Sequence, residues 1–226
     1  LHAQVRDDVI DVLTGEMAVR VARSGPRLVR SASRGQREYL RPTDDGADLL
    51  AWERGSGAPF GGVVEGAEVE LLKLSEDGEL DAAAWAALDA ADAIVYGSPT
   101  YMGAPAWQFK KFADASSKPW FTQNWKDKIA GGFTTSATAN GDKFSTIQYF
   151  ITLSQQHGQL WCGVGLMPAN TKADGPEKLN WTGGYSGLLA IAPSDSSPEE
   201  YPTGGDLDTA RSYGQRLVET AKRWNS

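Results

Sequence analysis

Five consecutive residues, Ala93-Ile-Val-Tyr-Gly97, are small or apolar with no alternation. A strand with one wet face alternates polar and apolar side chains, so an unbroken short run belongs to a strand covered on both faces. Such a strand needs helices above and below its sheet and helical crossovers between neighbouring strands. The rest of the chain supplies them. Residues 68–74 read as a strand carrying Val69, Leu71, Leu72 and Leu74. Residues 81–91 are Ala-rich around Trp85 and Leu88, a helix. Ser98-Pro99 is read as the end of the buried strand. Pro105 is placed in the first turn of a helix running to Asp114, where its missing N–H costs nothing. Residues 128–136 form the next strand. Residues 142–157 form the next helix, with Phe144, Ile147 and Ile151 on one face. Residues 160–167 are a further apolar run, and 168–205 a long polar loop with an apolar patch at 188–191. The last helix shows Leu207, Ala210, Gly214, Leu217, Val218 and Ala221 at helical spacing behind Asp206 as N-cap. The expected class is α/β, a doubly wound parallel sheet.

Composition narrows the function. The 226 residues are 41% hydrophobic and 23% charged, ordinary for a globular chain. The formal charge of −7 argues against a nucleic-acid binder, which needs a basic face. No stretch approaches the ~18 consecutive apolar residues of a membrane span. The single cysteine, Cys162, excludes a disulfide framework and reads as inert strand packing. No charged, apolar, small-residue leader opens the chain, so a cytoplasmic location is expected. Metal-ligand spacing, a Walker loop and a nucleophile elbow are not found. Asn180-Trp-Thr182 matches a glycosylation sequon but is read as irrelevant. Charge divides the chain in two: residues 1–60 hold nine Arg and no Lys, residues 61–226 three Arg and ten Lys. Residues 1–60 are therefore read as an atypical segment, fused, extended or out of frame, ahead of one domain over 61–226.

Open parallel sheets bind ligands outside the carboxyl ends of their strands. Two loops at such ends are dense in small residues and hydroxyls: Ser98-Pro-Thr-Tyr-Met-Gly103 and Thr134-Thr-Ser-Ala-Thr-Ala-Asn-Gly141. Together with Gln108-Phe-Lys-Lys-Phe-Ala-Asp114, Lys128-Ile-Ala-Gly-Gly-Phe-Thr-Thr-Ser-Ala-Thr138 and His157-Gly158, they resemble the flavodoxin-like NAD(P)H:quinone oxidoreductases of the WrbA type over about residues 63–226. The resemblance implies a flavodoxin-like fold, FMN as cofactor and NAD(P)H as electron donor. It places Pro99, Thr100, Tyr101, Met102 and Gly103 against the flavin ring. It puts Thr135, Ser136, Ala137, Thr138, Ala139, Asn140 and Gly141 at the ring's other edge. Ala137 and Ala139 stand where the family has glycines, which puts the loop's shape in question. His157 lies in the family's His-Gly motif near the flavin; a helix-end histidine before a stop-signal glycine is the equal alternative. Trp120 matches an aromatic that roofs the substrate site, and is otherwise a core or interface tryptophan. Tyr101 replaces a residue that is often Arg in the family and aids nicotinamide-nucleotide binding.

The family also begins with a central strand leading into a Ser/Thr/Gly loop whose amides hold the FMN phosphate. Two stretches are candidates, residues 9–15 with Glu16 behind them, and residues 39–46 followed by 47–52. Glu16, or Asp44 and Asp45, would repel a phosphate dianion. A piece of residues 1–60 is expected to pair beside residues 68–74 without tight phosphate capture, so FMN binding is expected to be weak or absent. The implied reaction is two-electron reduction of a quinone by NAD(P)H through flavin. The rivals are an electron-transfer flavodoxin and a module that has lost its cofactor. Trp107, Phe109, Trp120, Phe121 and Trp125 crowd into 19 residues, and a homo-oligomer is expected.

Overall fold

The computed structural model describes residues 17–21, 67, 69–72, 74–197 and 200–225. In chain order its elements are β1 (Met17–Val21), β2 (Val69–Leu72), α1 (Ala82–Ala90), β3 (Ala93–Tyr101), β4 (Ala104–Pro105), α2 (Trp107–Ala115), α3 (Ser117–Phe121), β5 (Ile129–Ser136), α4 (Lys143–Gln156), β6 (Leu160–Trp161), β7 (Leu188–Ile191) and α5 (Gly204–Trp224). The sheet runs β2-β1-β3-β5-β6, with β7 also on β5 and β4 on β3. Among the described residues no helix is long and apolar enough to cross a membrane.

The unbroken apolar run is explained by what lies on each side of it. Ala93 and Val95 pack with Tyr213, Leu217, Val218 and Ala221 of α5 on one face. Ile94 and Tyr96 pack on the other face with α1, α2 and α4, through Leu88, Phe109 and Phe150. Every one of these side chains is buried, and each contributes about 1.5–3 kcal/mol if large and apolar. β3 and β5 pair in parallel from Ala93↔Ile129 to Pro99↔Thr135. The strand thus runs past Ser98-Pro99, expected to end it, as far as Tyr101. Among the described residues Met17↔Gly97 is the last β1 pair, and on the other side Pro99 stays in register with Thr135. Pro105 lies in β4, paired with Thr100, rather than in the helix, which starts at Trp107. On α4 the buried face is Lys143, Thr146, Ile147, Phe150 and Ser154. Phe144, expected inside, is exposed, and Ile151 is only partly buried.

A piece of residues 1–60 does pair on the inner side of β2, as expected. It is Met17–Val21, and it runs antiparallel to both neighbours, with Ala18↔Leu72 and Val21↔Val69 on one side and Met17↔Gly97 and Arg20↔Ile94 on the other. The stretches 9–15 and 39–52 lie outside the described residues. The sheet is otherwise parallel on the β5 side of β3.

The outer edge of β5 is filled in two parts. β6 pairs with its beginning, Ile129↔Leu160 and Ala130↔Trp161, and β7 with its end, Phe133↔Leu188 to Ser136↔Ile191. The apolar patch at 188–191 is thus half of a strand rather than part of a loop. Between the two halves the Tyr213 hydroxyl takes the strand's place. It accepts from the Gly132 amide at 3.1 Å and donates to the Cys162 carbonyl at 2.6 Å. Gly131 makes room, since a Cβ there would lie 2.6 Å from that hydroxyl. Cys162 itself is buried. The segment between β6 and β7 is tied down by Trp161 Nε1 to the Ser186 carbonyl, 2.6 Å, and by the Asn180 amide to Thr209 Oγ1, 2.7 Å. Asn180 is 1% exposed and is closed to glycosylation.

At the amino end of β5 the chain forms an aromatic floor. Trp85, Phe112 and Trp125 stack, and His157 lies on Trp125 with ring centroids 4.3 Å apart. Ser116 donates to the Ala113 carbonyl at 2.7 Å, so its oxygen accepts from His157 Nε2 at 2.9 Å. The imidazole then carries its proton on Nε2, and Nδ1 is a buried lone pair without a partner among the described residues. Burial lowers the His157 pKa to about 4.

Two predictions follow from these contacts. Tyr213→Phe leaves the Gly132 amide and the Cys162 carbonyl unpaired, at ~1–3 kcal/mol per buried group. Urea unfolding should register the loss, and an unchanged midpoint would refute the bridging role. For His157, the unfolded chain takes up a proton below pH 6.5 and the folded one only near 4. Its contribution to stability is therefore whole above pH 6.5 and is lost as the pH falls through that window. His157→Gln should remove that part of the slope in a pH series of melting temperatures; an unaltered slope would show that His157 is not buried neutral.

Candidate functional site

Three strand ends meet at the carboxyl edge of the sheet: β3 with its hairpin into β4, β5 with its loop into α4, and β7. The hairpin is two residues long. Tyr101 pairs with Ala104, and the tip residues Met102 and Gly103 have φ of 49° and 75°. Two left-handed central residues match the twist of an antiparallel pair. Gly103 adopts this freely, and nothing lies within 4 Å of where its Cβ would be. Met102 pays strain for it with a fully exposed side chain. Below the tip, Ser98 Oγ accepts from the Ala106 amide at 2.9 Å and donates to the Pro99 carbonyl at 2.9 Å, fixing the entry to α2.

Hydroxyls join the hairpin to the neighbouring elements. Thr100 Oγ1 donates to Thr146 Oγ1 of α4 at 2.8 Å, so Thr134 of β5 donates to Thr100 at 2.7 Å. All three are buried, so the chain of bonds holds β3, β5 and α4 in one register beneath the loops. Thr135, the next residue of β5, is 4% exposed and its hydroxyl has no partner among the described residues. A buried hydroxyl of this kind is left for a ligand or a solvent molecule to satisfy.

The β5 loop has a definite shape. Ser136 Oγ donates to the Thr138 carbonyl at 3.0 Å and accepts from Lys143 Nζ at 2.8 Å. Gly141 folds back over Ser136 so closely that a Cβ there would overlap the Ser136 hydroxyl. The left-handed residues are Gly141 and Asp142, at φ 52° and 51°. Ala137 and Ala139 keep negative φ, which is why alanine is tolerated where the resembled family has glycine. Residues 137–140 are exposed. At the end of β7, the Ile191 amide donates to Asp206 at 3.0 Å. Asp206 is therefore not the N-cap of α5. Thr203 caps that helix, accepting from the Asp206 amide. Burial raises the Asp206 carboxyl to about 7 against the pull of Lys143, and lowers the Lys143 ammonium to about 8 against the pull of Asp206.

Of the residues singled out from sequence, Pro99 to Gly103 and Thr135 to Gly141 come together at this edge. His157 and Trp120 do not. α2 carries the chain from the hairpin down to Ser116, whose hydroxyl meets His157, and the next residue but one after His157, Gln159, leads into β6 at the amino end of β5. Trp120 sits on α3 one turn beyond Ser116, its amide bonded to the Ser116 carbonyl. Within one chain both lie at the far end of the sheet. The aromatic crowd also divides: Phe109 and Trp125 are buried, while Trp107, Trp120 and Phe121 are exposed. Ser98 and Thr134, the first residues of the two loops, complete the edge together with Lys143 and Thr146, which were not singled out, and Asp206, which was read only as a cap. Lys143 and Thr146 share the inward face of α4 at i,i+3, a signal hidden by their polarity.

The family model for NADPH-dependent FMN reductase matches residues 63–160. Flavodoxin FldP of Pseudomonas aeruginosa is 44% identical over 159 residues, covering 70% of this chain and 86% of that protein. An NAD(P)H dehydrogenase (quinone) of Solidesulfovibrio magneticus is 32% identical over 138 residues, 60% of this chain and 64% of that protein. The chain thus spans just under two thirds of that relative. Among solved structures, the flavodoxin, WrbA-like protein from Agrobacterium tumefaciens is 45% identical with a TM-score of 0.55, over 68% of this chain and 81% of that one. With its loops at the carboxyl edge of a largely parallel sheet and these relatives across them, the chain belongs to the flavodoxin-like NADPH-dependent FMN reductase superfamily.

Proposed function

We propose that the protein is an electron-transfer flavodoxin that holds a flavin ring between the Met102–Gly103 hairpin and the 135–141 loop. One observation carries the reading: at the same strand ends stand an exposed hairpin tip with open space around Gly103 and a buried Thr135 hydroxyl without a partner among the described residues. The 44% identity to flavodoxin FldP supports electron transfer among the functions open to such a site. A bound flavin would supply one- and two-electron redox chemistry.

The chain's own residues would bind and orient. The hairpin amides would donate to the polar edge of the ring, Thr135 would complete its hydrogen bonds on the ligand, and the Thr100–Thr134–Thr146 bonds would keep both loops from spreading. The exposed Met102 tip would leave one edge of the ring open to a redox partner.

The residues fit the ring better than the phosphate. β1 runs antiparallel to β3, so its carboxyl end, Val21, lies toward Ile94 and away from the ligand edge. A helix N-terminus following β1, the family's phosphate holder, is thus not provided at that edge among the described residues. This supports weak FMN binding. FMN and riboflavin should quench with dissociation constants within about tenfold of each other, ~1.4 kcal/mol. A nanomolar FMN constant with a much weaker riboflavin one would place a working phosphate loop in residues 1–60.

The second reading is NAD(P)H:quinone reduction, favoured by relatives such as the Solidesulfovibrio enzyme. Tyr101, at the position often held by Arg in the resembled family, weighs against nicotinamide-nucleotide binding. The exposed Trp107, Trp120 and Phe121 support a homo-oligomer, which sedimentation at micromolar concentration tests. Protein supplied with flavin that is reduced by dithionite but not by NAD(P)H fits the first reading; steady NAD(P)H oxidation with quinone as acceptor fits the second. Gly103→Val forces a β-branched residue into a left-handed turn at ~1–2 kcal/mol, and should weaken flavin quenching about tenfold without unfolding the domain. Unaltered binding would remove the hairpin from the site.

A further inference from the structure

The loop after β5 is fastened from beneath by a buried cation. Lys143 is the first residue of α4, and its side chain is fully buried. Its ammonium donates to Ser136 Oγ and to the Thr138 carbonyl, while Ser136 also donates to that carbonyl. Both ends of the turn are thus held by one group, and Gly141 closes over the same hydroxyl.

Stability alone gives no reason for a lysine here. Burying an ammonium is expensive, and a methionine of similar length would fill the space. A cation in the first turn also opposes the helix dipole, which favours negative charge at that end. The compensation comes from the loop acceptors and from Asp206 of α5, whose carboxylate attracts the ammonium. One residue before Ser136 stands the buried Thr135 hydroxyl, without a partner among the described residues.

We propose that Lys143 is a positioning residue of the ligand site: it clamps residues 136–141 in ligand-binding shape and sets a positive charge under the surface that receives the acceptor atoms of a polar ring. The ring's identity as flavin rests on the reading given above; the clamp does not. A neutral Lys143 can still donate, but it lacks the charge that strengthens both bonds and attracts the acceptor atoms of a ring. Ring affinity therefore falls as Lys143 loses its proton near pH 8. Among the described residues the charge that acts on it is Asp206 of α5, on which Glu177 also acts; Asp142 precedes it in the chain; of the tyrosines on β3, Tyr96 turns its hydroxyl to Gln159 at the other end of the sheet and Tyr101 lies in the hairpin; β4 and β5 bring none.

The test uses the full chain, Lys143→Met and Ser136→Ala, with riboflavin as the probe so that no phosphate contributes. Hydrogen exchange without ligand should show the amides of residues 137–141 exchanging at least tenfold faster in both variants, with β3 and β5 unchanged. Riboflavin quenching by the parent should weaken as the pH rises through about 8; Lys143→Met should bind about tenfold more weakly at pH 6.5 and lack that inflection. An inflection near 7 that survives in Lys143→Met belongs to Asp206. Loop amides exchanging at the parent's rate, or a pH profile identical in parent and Lys143→Met, overturns the proposal. Should the parent fail to quench riboflavin at all, the flavin reading falls, and the clamp is judged by exchange alone. If Lys143→Met does not fold, Ser136→Ala, which removes the hydroxyl between ammonium and carbonyl, decides by the same exchange criterion.

Discussion

β5 has to satisfy its backbone on two edges at once while both of its faces are buried, and the rest of the molecule is arranged around that requirement. On one edge it meets β3 in an unbroken parallel register. On the other it meets two short strands from distant parts of the chain, with a tyrosine hydroxyl between them. Buried backbone groups left unpaired are too unfavourable for a domain of ordinary stability to tolerate several. Tyr213 reaches the break only because Gly131 has no side chain and because α5 is pressed against the sheet by Leu217, Val218 and Ala221. Packing of the last helix and hydrogen bonding of the central strand are therefore one condition.

The carboxyl edge of the sheet inherits its order from that arrangement. Loops at strand ends are free to vary, but these are drawn together by bonds that begin inside the sheet: the threonine hydroxyls of β3, β5 and α4, the Ser98 bridge to Ala106, and the lysine under the β5 turn. The exposed parts, Met102 and residues 137–140, stand on this buried polar layer. Apolar packing holds the sheet; hydrogen bonds among buried hydroxyls hold the site.

What the sequence made legible follows from the same distinction. The buried run of β3, the strand at β5, the Ala-rich helix α1 and the stripe of α5 are local signals, and the structure has them in place. β7 was hidden because four residues become a strand only beside β5. The inward face of α4 was misread because Lys143 and Thr146 are polar yet buried, their burial made tolerable by partners far away in sequence. Asp206 looked like a cap and serves β7 instead. The two edge loops could be located from sequence because glycine, proline and hydroxyl residues mark turns, whereas His157 and Trp120 carried only a resemblance, and their distance from the loops depends on how α2 and α4 run back along the sheet.

The divided outer strand also bears on the order in which the chain can assemble. Between Trp161 and Leu188 lie 26 residues, and closing a loop of that length opposes pairing by about 3 kcal/mol of chain entropy. β3 and β5 are separated by 27 residues, but most of these fold into β4, α2 and α3, and only six separate β5 from α4, so these three elements can form without it. The four pairs of β7 come later, and the Tyr213 bridge later still, because its hydroxyl needs the Gly132 amide and the Cys162 carbonyl already side by side. The C-terminal helix thus acts as a latch, closing only over a sheet whose edge is complete.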